Sequence, residues 1–193
     1  VLQLEKRGQG AGLFTRADLE LLALVVGPLA LALDNRRLHR QQRQAFASTI
    51  NALVHSLTLR DPDTAQHSER VQAVALIMGA ELGLSTHEMD ILSMAALLHD
   101  LGKQGVRDEV LFKPGRLTPE EVAEMAEHAA YTQNILDRIE YPEPLRTVPE
   151  VAAYHHEKLN GTGPYGIPGE RIPLNSRIIS VADAFDAMVS SRV

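Results

Sequence analysis

Four helix-opening signals punctuate residues 60–193, and they constrain the fold more than any other feature of the chain. Asp61-Pro62 sets a capping carboxylate before a proline at the first helical position. Ser85 stands three residues before Glu88 as a capping box, and Thr118-Pro119-Glu120-Glu121 and Pro149-Glu150 open two more segments. Apolar residues then recur at helical spacing. Val71, Val74, Ala75, Met78 and Leu82 are predicted to face inward after the first signal, and Ile91, Leu92, Ala95 and Leu98 after the second. The third segment is expected to run to about Ile139, and a last helix from about Asn175 to Ser190. The glycine- and proline-rich loop before it, Asn160 to Pro173, has no β-like run longer than three residues. An all-α bundle is the expected fold.

Upstream the pattern changes. Val1 to Lys6 alternates and is β-rich, which predicts a strand, followed by a glycine turn from Arg7 to Gly12. A lone strand needs a sheet that this chain does not carry. At the other end, Ser191-Arg192-Val193 follows a helical pattern without a cap, so both ends read as cut. Thr15-x-x-Asp18 resembles a capping box, and helical periodicity continues to about Leu59 with an irregularity expected at Gly27-Pro28. Leu21, Leu22, Val25, Leu29 and Leu33 form one apolar stripe, and Phe46, Ile50, Leu53, Val54 and Leu57 resume it after a polar middle. Such a helix would be on the order of 60 Å long. It reads as a connector between modules and as a seam for a parallel homodimer, the alternative being two helices with a loop near Arg40.

Composition removes several classes of function. The absence of cysteine excludes a disulfide framework, a thiolate metal site and a cysteine nucleophile. The longest apolar candidate, Leu21 to Leu33, contains Pro28 and falls short of the roughly 18–20 residues of a membrane helix. With no secretory signal pattern at the start, a cytoplasmic protein without membrane partners is expected. Residues 1–59 carry 7 Lys/Arg against 4 Asp/Glu, whereas residues 60–193 carry 12 against 21. That acidic body is a poor surface for a nucleic-acid polymer but suits divalent cations.

The candidate ligands fall on successive helical segments. His99-Asp100 ends the apolar run AALLHD, a place where an imidazole and a carboxylate are costly to leave unpaired. His67 lies one turn after Asp63, so the two share a helix face; Asp63 reads equally as an N-terminal capping acid. His128 follows the stripe Val122, Met125 and Ala126. His155 and His156 point about 100° apart on a helix and can address one site only across a crevice. Asp183 stands among apolar residues in ISVADAFDAM, with Asp186 three positions on as a salt-bridging or supporting neighbour. Singly, each is as readily a surface or capping residue. Together they offer more nitrogen and oxygen ligands than one cation uses, so two cations about 3.5–4 Å apart are expected. Sulfur-free donors favour iron, manganese, zinc or magnesium.

These runs carry a resemblance. HSERV (His67 to Val71), LLHDLGK (Leu97 to Lys103), KPGRLTPEE (Lys113 to Glu121), His128, HHEKLNGTG (His155 to Gly163) and RIISVADAFDAM (Arg177 to Met188) resemble the HD-GYP family, a subset of the HD metal-dependent phosphohydrolases. The likeness covers about residues 50–193. It implies an all-α bundle with two or three metal ions, iron or manganese above zinc, magnesium, nickel or cobalt. It also implies hydrolysis of cyclic di-GMP to pGpG, and in some members to GMP. The implied metal ligands are His67, His99, Asp100, His128, His155, His156 and Asp183, with Asp63 matching the place of an extra acidic ligand in trinuclear members. Asp100 would bridge the cations, Lys103 would meet the scissile phosphate, and Arg192 would contact substrate.

One loop departs from the family. DGxGYP is replaced by Asn160-Gly161-Thr162-Gly163-Pro164-Tyr165, with the Tyr-Pro order inverted, so Tyr165 would reach substrate from a different backbone position. The departure supports two alternatives: a receptor that binds cyclic di-GMP or a signalling partner without turnover, and a phosphohydrolase for another nucleotide. Residues 1–40 resemble the final strand and helix of a GAF sensory domain. The expected order is therefore a β/α GAF remnant (1–40), a connector helix (41–59) and an HD-GYP module (60–193) incomplete at its C-terminus.

Overall fold

The structure, a computed structural model, describes residues 15–190 apart from the side chains of Thr58, Pro62 and Asp63. Among the described residues there is no β-strand; regular structure consists of α-helices and short 3₁₀ turns. This corrects the β/α part of the expected fold. A strand is stable only in a ladder, and no described segment offers one. The strand expected at Val1–Lys6 and the turn at Arg7–Gly12 lie outside the described residues. The bundle itself is all-α. No helix among the described residues is long and apolar enough to cross a membrane.

The chain divides into two compact units, Val1–Ser48 and Thr49–Val193. In the first, α1 (Arg16–Arg60) opens with a reciprocal cap: the Thr15 N–H donates to Asp18 Oδ2 at 2.8 Å, and the Asp18 N–H donates to Thr15 Oγ1 at 3.2 Å. The helix continues through Gly27-Pro28, the site of the expected irregularity, and through Arg40, where the alternative placed a loop. Leu21, Val25, Leu29 and Leu33 of its early stripe are exposed. In the second unit the resumed stripe buries Ile50 and Leu57.

That unit continues with α2 (Pro62–Glu81), α3 (Thr86–Leu98), α4 (Asp108–Leu111), α5 (Pro119–Ala126), α6 (His128–Leu136), α7 (Val148–Ala153) and α8 (Leu174–Val189). The predicted caps form. Asp61 Oδ1 accepts the Thr64 N–H at 3.1 Å, and Ser85–Glu88 and Thr118–Glu121 both close as reciprocal boxes. Helix α3 packs against α2, α7 and α8, with Leu92, Ala95 and Ala96 wholly buried. Gly79 lets α2 approach, since a Cβ there would stand 2.8 Å from both Leu92 Cδ2 and Met89 Sδ. Truncating Leu92 to alanine in such a core costs about 2–5 kcal/mol.

Two boundaries differ from expectation. Leu82 is the C-cap of α2 and is exposed rather than inward, because the helix ends at Glu81. The single helix expected from Thr118 to Ile139 is two, α5 and α6, meeting at Glu127. No glycine or proline marks that break in the sequence. The 3₁₀ turn Leu101–Gly105 docks on the start of α6, where a Cβ on Gly102 would lie 2.0 Å from the His128 carbonyl oxygen. Helix α6 begins there, with His128 in its first position.

Candidate metal centre

The structure brings seven of the expected ligands into one crevice. His67 projects from α2, His99 caps the C-terminus of α3, and Asp100 precedes the Leu101–Gly105 turn. His128 opens α6, His155 and His156 share the 3₁₀ turn Tyr154–His156, and Asp183 lies on α8. They form three overlapping groups: His67, His99 and Asp100; His99, His155 and Asp183; and His128, His155 and His156. Within each group the candidate ligand atoms lie within 4.8 Å of one another. His67, His99, Asp100, His128 and His155 are buried, and His156 and Asp183 are half-buried.

Ring orientation follows from local backbone geometry. The Nδ1 atoms of His99, His128 and His155 lie 2.7, 2.6 and 2.6 Å from the carbonyl oxygens of Ala96, Met125 and Ala152. A carbonyl can only accept, so each Nδ1 carries a proton, and Nε2 is the ring nitrogen turned to the crevice. Burial lowers the pKa of His128, and lowers that of His155 well below the ordinary imidazole value, which keeps both rings neutral. Their Nε2 atoms are 3.4 Å apart, two lone pairs with no proton between them. His99 Nε2 is buried and has no hydrogen-bond partner among the described residues. Divalent cations shared among the overlapping groups would satisfy these nitrogens, so the residues present fit them.

The other wall is anchored differently. His67 Nδ1 pairs with Asp186 Oδ2 at 2.7 Å, while its Nε2 lies 3.0 Å from Asp183 Oδ1. Arg70 holds Asp186 with a fork, Nε donating to Oδ1 at 2.7 Å and Nη2 to Oδ2 at 3.0 Å. Burial opposes protonation of His67, but its bonds to Asp183 and Asp186 outweigh burial and raise its pKa. The Arg70 bond holds Asp186 far below the usual carboxylate range, against burial. Asp183 is lowered too, its bond to His67 overcoming the desolvation that would raise it. Asp186 thus serves His67, 119 positions away in sequence, rather than its neighbour Asp183.

Asp100 lies between the two walls. Its Oδ2 is 3.7 Å from His67 Nε2 and 3.4 Å from His99 Nε2, and its Oδ1 is 3.4 Å from His128 Nε2. Lys103 donates to Oδ2 at 2.6 Å. Burial would raise this carboxyl, yet neighbouring positive charge, the Lys103 ammonium included, holds it well below its ordinary value. It remains an anion with both oxygens aimed at imidazole nitrogens, the disposition a bridging ligand needs.

Beside this crevice a cavity of about 470 Å³ is lined by Leu117, Val122, Met125 and Pro164 with His128 and His156 on its wall. The variant loop borders it. Asn160 Oδ1 accepts the Thr162 N–H at 3.1 Å, and Gly161 and Gly166 take φ of +73° and +64°, conformations that favour glycine. Glu157, unremarked in the sequence although it directly follows His155-His156, accepts the N–H groups of Tyr165 at 2.7 Å and Ile167 at 2.8 Å. The Tyr165 ring lies edge-on to Tyr154, with centroids 5.0 Å apart. Asp63 occupies the second position of α2 and Arg192 follows α8; the Asp63 side chain and all of Arg192 lie outside the described residues.

A helical bundle with cation-ready imidazoles and carboxylates at one end defines the class, and comparison with known proteins gives the family. The chain belongs to the HD domain family, whose model matches residues 51–193. It is 38% identical over 166 residues to a cyclic di-GMP phosphodiesterase response regulator of Xanthomonas campestris pv. campestris, covering 84% of this chain and 44% of that protein. It is 44% identical over 134 residues to a 3'3'-cGAMP-specific phosphodiesterase of Vibrio cholerae, covering 69% of this chain and 28% of the other. A cyclic di-GMP phosphodiesterase of Thermotoga maritima is 42% identical over 134 residues, with 69% and 36% covered. The chain spans less than half the length of each of these relatives. A solved HDG"Y"P protein of Bdellovibrio bacteriovorus, Bd1817, shares the fold with a TM-score of 0.57 and 19% identity, over 76% of this chain and 53% of that one.

Proposed function

We propose that residues 60–193 form the catalytic module of a metal-dependent phosphodiesterase that hydrolyses cyclic di-GMP to pGpG, with iron or manganese as the resident metal and α1 as connector. The observation that carries this is the buried pair of unprotonated Nε2 atoms on His128 and His155, facing each other beside the Asp100 carboxylate. That arrangement is unfavourable without a cation. The relatives act on cyclic dinucleotides by name, which supports the substrate class.

Divalent cations held there would lower the pKa of a water nucleophile and offset charge on phosphoryl oxygens. His67, His99, His128, His155, His156 and Asp183 would hold them, and Asp100 would bridge. Lys103 has an ammonium already directed at that carboxylate, and it would neutralise a phosphoryl oxygen of the bound substrate. Arg192 and Tyr165 would contact the nucleotide. The apolar cavity wall of Leu117, Val122 and Met125 lies beside His128 and His156 and would pack against the bound substrate.

The test is turnover by manganese- or iron-loaded protein of cyclic di-GMP, 3'3'-cGAMP, pGpG and ordinary nucleoside phosphates. Cyclic di-GMP should disappear fastest, with pGpG as first product. Faster cleavage of 3'3'-cGAMP would reassign the substrate within the class. Tight binding of cyclic di-GMP without cleavage would make the variant-loop protein a receptor. For α1 we propose a homodimer through its exposed leucine stripe. Sedimentation at micromolar concentration should give twice the chain mass, and a monomer would overturn it.

A further inference from the structure

Lys103 is fixed from two sides, and only one of them belongs to the crevice. On the crevice side the Gly102 N–H donates to Thr132 Oγ1 at 2.8 Å, while the Thr132 hydroxyl donates to the His99 carbonyl at 2.9 Å. This ties the Leu101–Gly105 turn to α6. On the opposite side stands Arg60, the last residue of α1. Its Nη1 donates to the Gln104 carbonyl and, at 3.5 Å, to that of Lys103. Its Nη2 donates to the Val106 carbonyl at 2.8 Å and to Asp108 Oδ1 at 2.7 Å. One turn earlier, Ser56 Oγ accepts from Gln104 Nε2 at 3.0 Å.

The chemistry of these contacts is specific. The last carbonyls of a helical turn have no partners within it, and a guanidinium offers several donors in a rigid plane that can serve more than one of them. Lysine, with a compact ammonium, cannot span the same set. The backbone that carries Lys103 is therefore held at its far edge by the end of α1, so a shift of that end moves the ammonium relative to Asp100.

We propose that Arg60 is a positioning residue for Lys103, through which the end of α1 sets the catalytic competence of the crevice. This rests on the phosphodiesterase reading above. The hydrogen bonds of Arg60 go to the turn, to Val106 and to Asp108, so it acts on Lys103 through the backbone. Misplacing a reacting group by about 1 Å can cost on the order of 100-fold in rate.

A double-substitution cycle on the manganese-loaded full chain tests it. Arg60→Ala should lower kcat for cyclic di-GMP by about 10- to 100-fold with little change in KM. In a Lys103→Ala background the same change should cost almost nothing, because the group it positions is gone. Arg60→Lys should rescue in part, and it carries the test if the alanine variant fails to fold. An equal loss with and without Lys103 would overturn the proposal in favour of a purely structural clamp. A second readout does not depend on turnover: acylation of Lys103 by a succinimidyl ester, followed by peptide mass, should accelerate in Arg60→Ala. Unchanged acylation would overturn the proposal. If the unaltered chain cleaves no cyclic dinucleotide, the phosphodiesterase reading fails by itself, and the acylation rate still decides the role of Arg60.

Discussion

The two walls of the crevice present imidazole nitrogens by different means. On one, His99, His128 and His155 each donate Nδ1–H to a backbone carbonyl three residues earlier. On the other, His67 leans on a carboxylate that is itself held by Arg70. A backbone acceptor cannot be removed by substitution and adds no charge, so it fixes each ring without a titratable partner. A carboxylate anchor adds negative charge, makes its imidazole more basic, and can be edited. One wall is rigid and the other tunable, with Asp100 between them.

Removing Asp100 attacks both walls at once. Asp100→Ala should abolish turnover and strip or displace the metal, because its oxygens face His67 on one wall and His99 and His128 on the other. Metal analysis after gel filtration and a hydrolysis assay check this together. Retention of two metal equivalents would mean that the carboxylate does not bridge.

Asp186→Asn should act on the tunable wall alone. Supporting partners of this kind are worth about 10- to 100-fold in metal affinity. One equivalent should weaken by that amount while the other is unchanged, read by competition with a chelator. Equal weakening of both would dissolve the distinction between the walls.

How much of this was legible beforehand follows the same division. Residue types and order sufficed to mark seven side chains that the fold brings together, because His and Asp in short motifs are visible as letters. Helix caps were legible for the same reason: Asp61, Ser85 with Glu88, and Thr118 with Glu121. The carbonyl anchors were not, since every residue has a carbonyl and only the final turn geometry selects the one at i−3. Asp186 was visible as an acid, but its link to His67 crosses 119 positions and exists only after α2 and α8 pack. The α5–α6 break was hidden because no breaker residue marks it, and the close approach of the Leu101–Gly105 turn to α6 exists only in the folded chain. The β part of the expected remnant has no counterpart among the described residues, none of which forms a strand, and Val1–Lys6 itself lies outside them.

Acid should separate the walls in the metal-free protein. Burial depresses the pKa values of His128, His155 and His156, the last to about 4. A depressed group stabilises the fold fully above its unfolded value of about 6.5, and that contribution is lost as pH falls toward the folded value. His67, raised by its carboxylates, does the opposite: its contribution is full below about 6.5 and is lost as pH rises through its elevated value. Thermal melts of chelator-stripped protein between about pH 7 and 4 should therefore show a net fall in Tm, since three groups oppose one. Asp186→Asn should steepen it by weakening the offset from His67. A flat profile in the unaltered protein would contradict the neutral assignment of the rigid wall.

The smallest effect is expected at Asp63, where a third metal would extend the tunable wall. Asp63 precedes His67 by one turn of α2, a spacing that places two side chains on one face. A capping role is already filled, since Asp61 is the N-cap and its carboxylate accepts the Thr64 N–H. What remains for an acid at the second helical position, if it binds nothing, is interaction with the helix dipole, worth about 0.3–1 kcal/mol. As a ligand it would be weak, because aspartate reaches one methylene less far than glutamate. Asp63→Asn keeps the size and removes the charge, which separates these roles by stoichiometry. Loss of one metal equivalent under mild chelation, with the other two retained, supports a trinuclear centre. A stability loss within the dipole range at unchanged stoichiometry leaves Asp63 as a helix-terminal acid and the centre dinuclear.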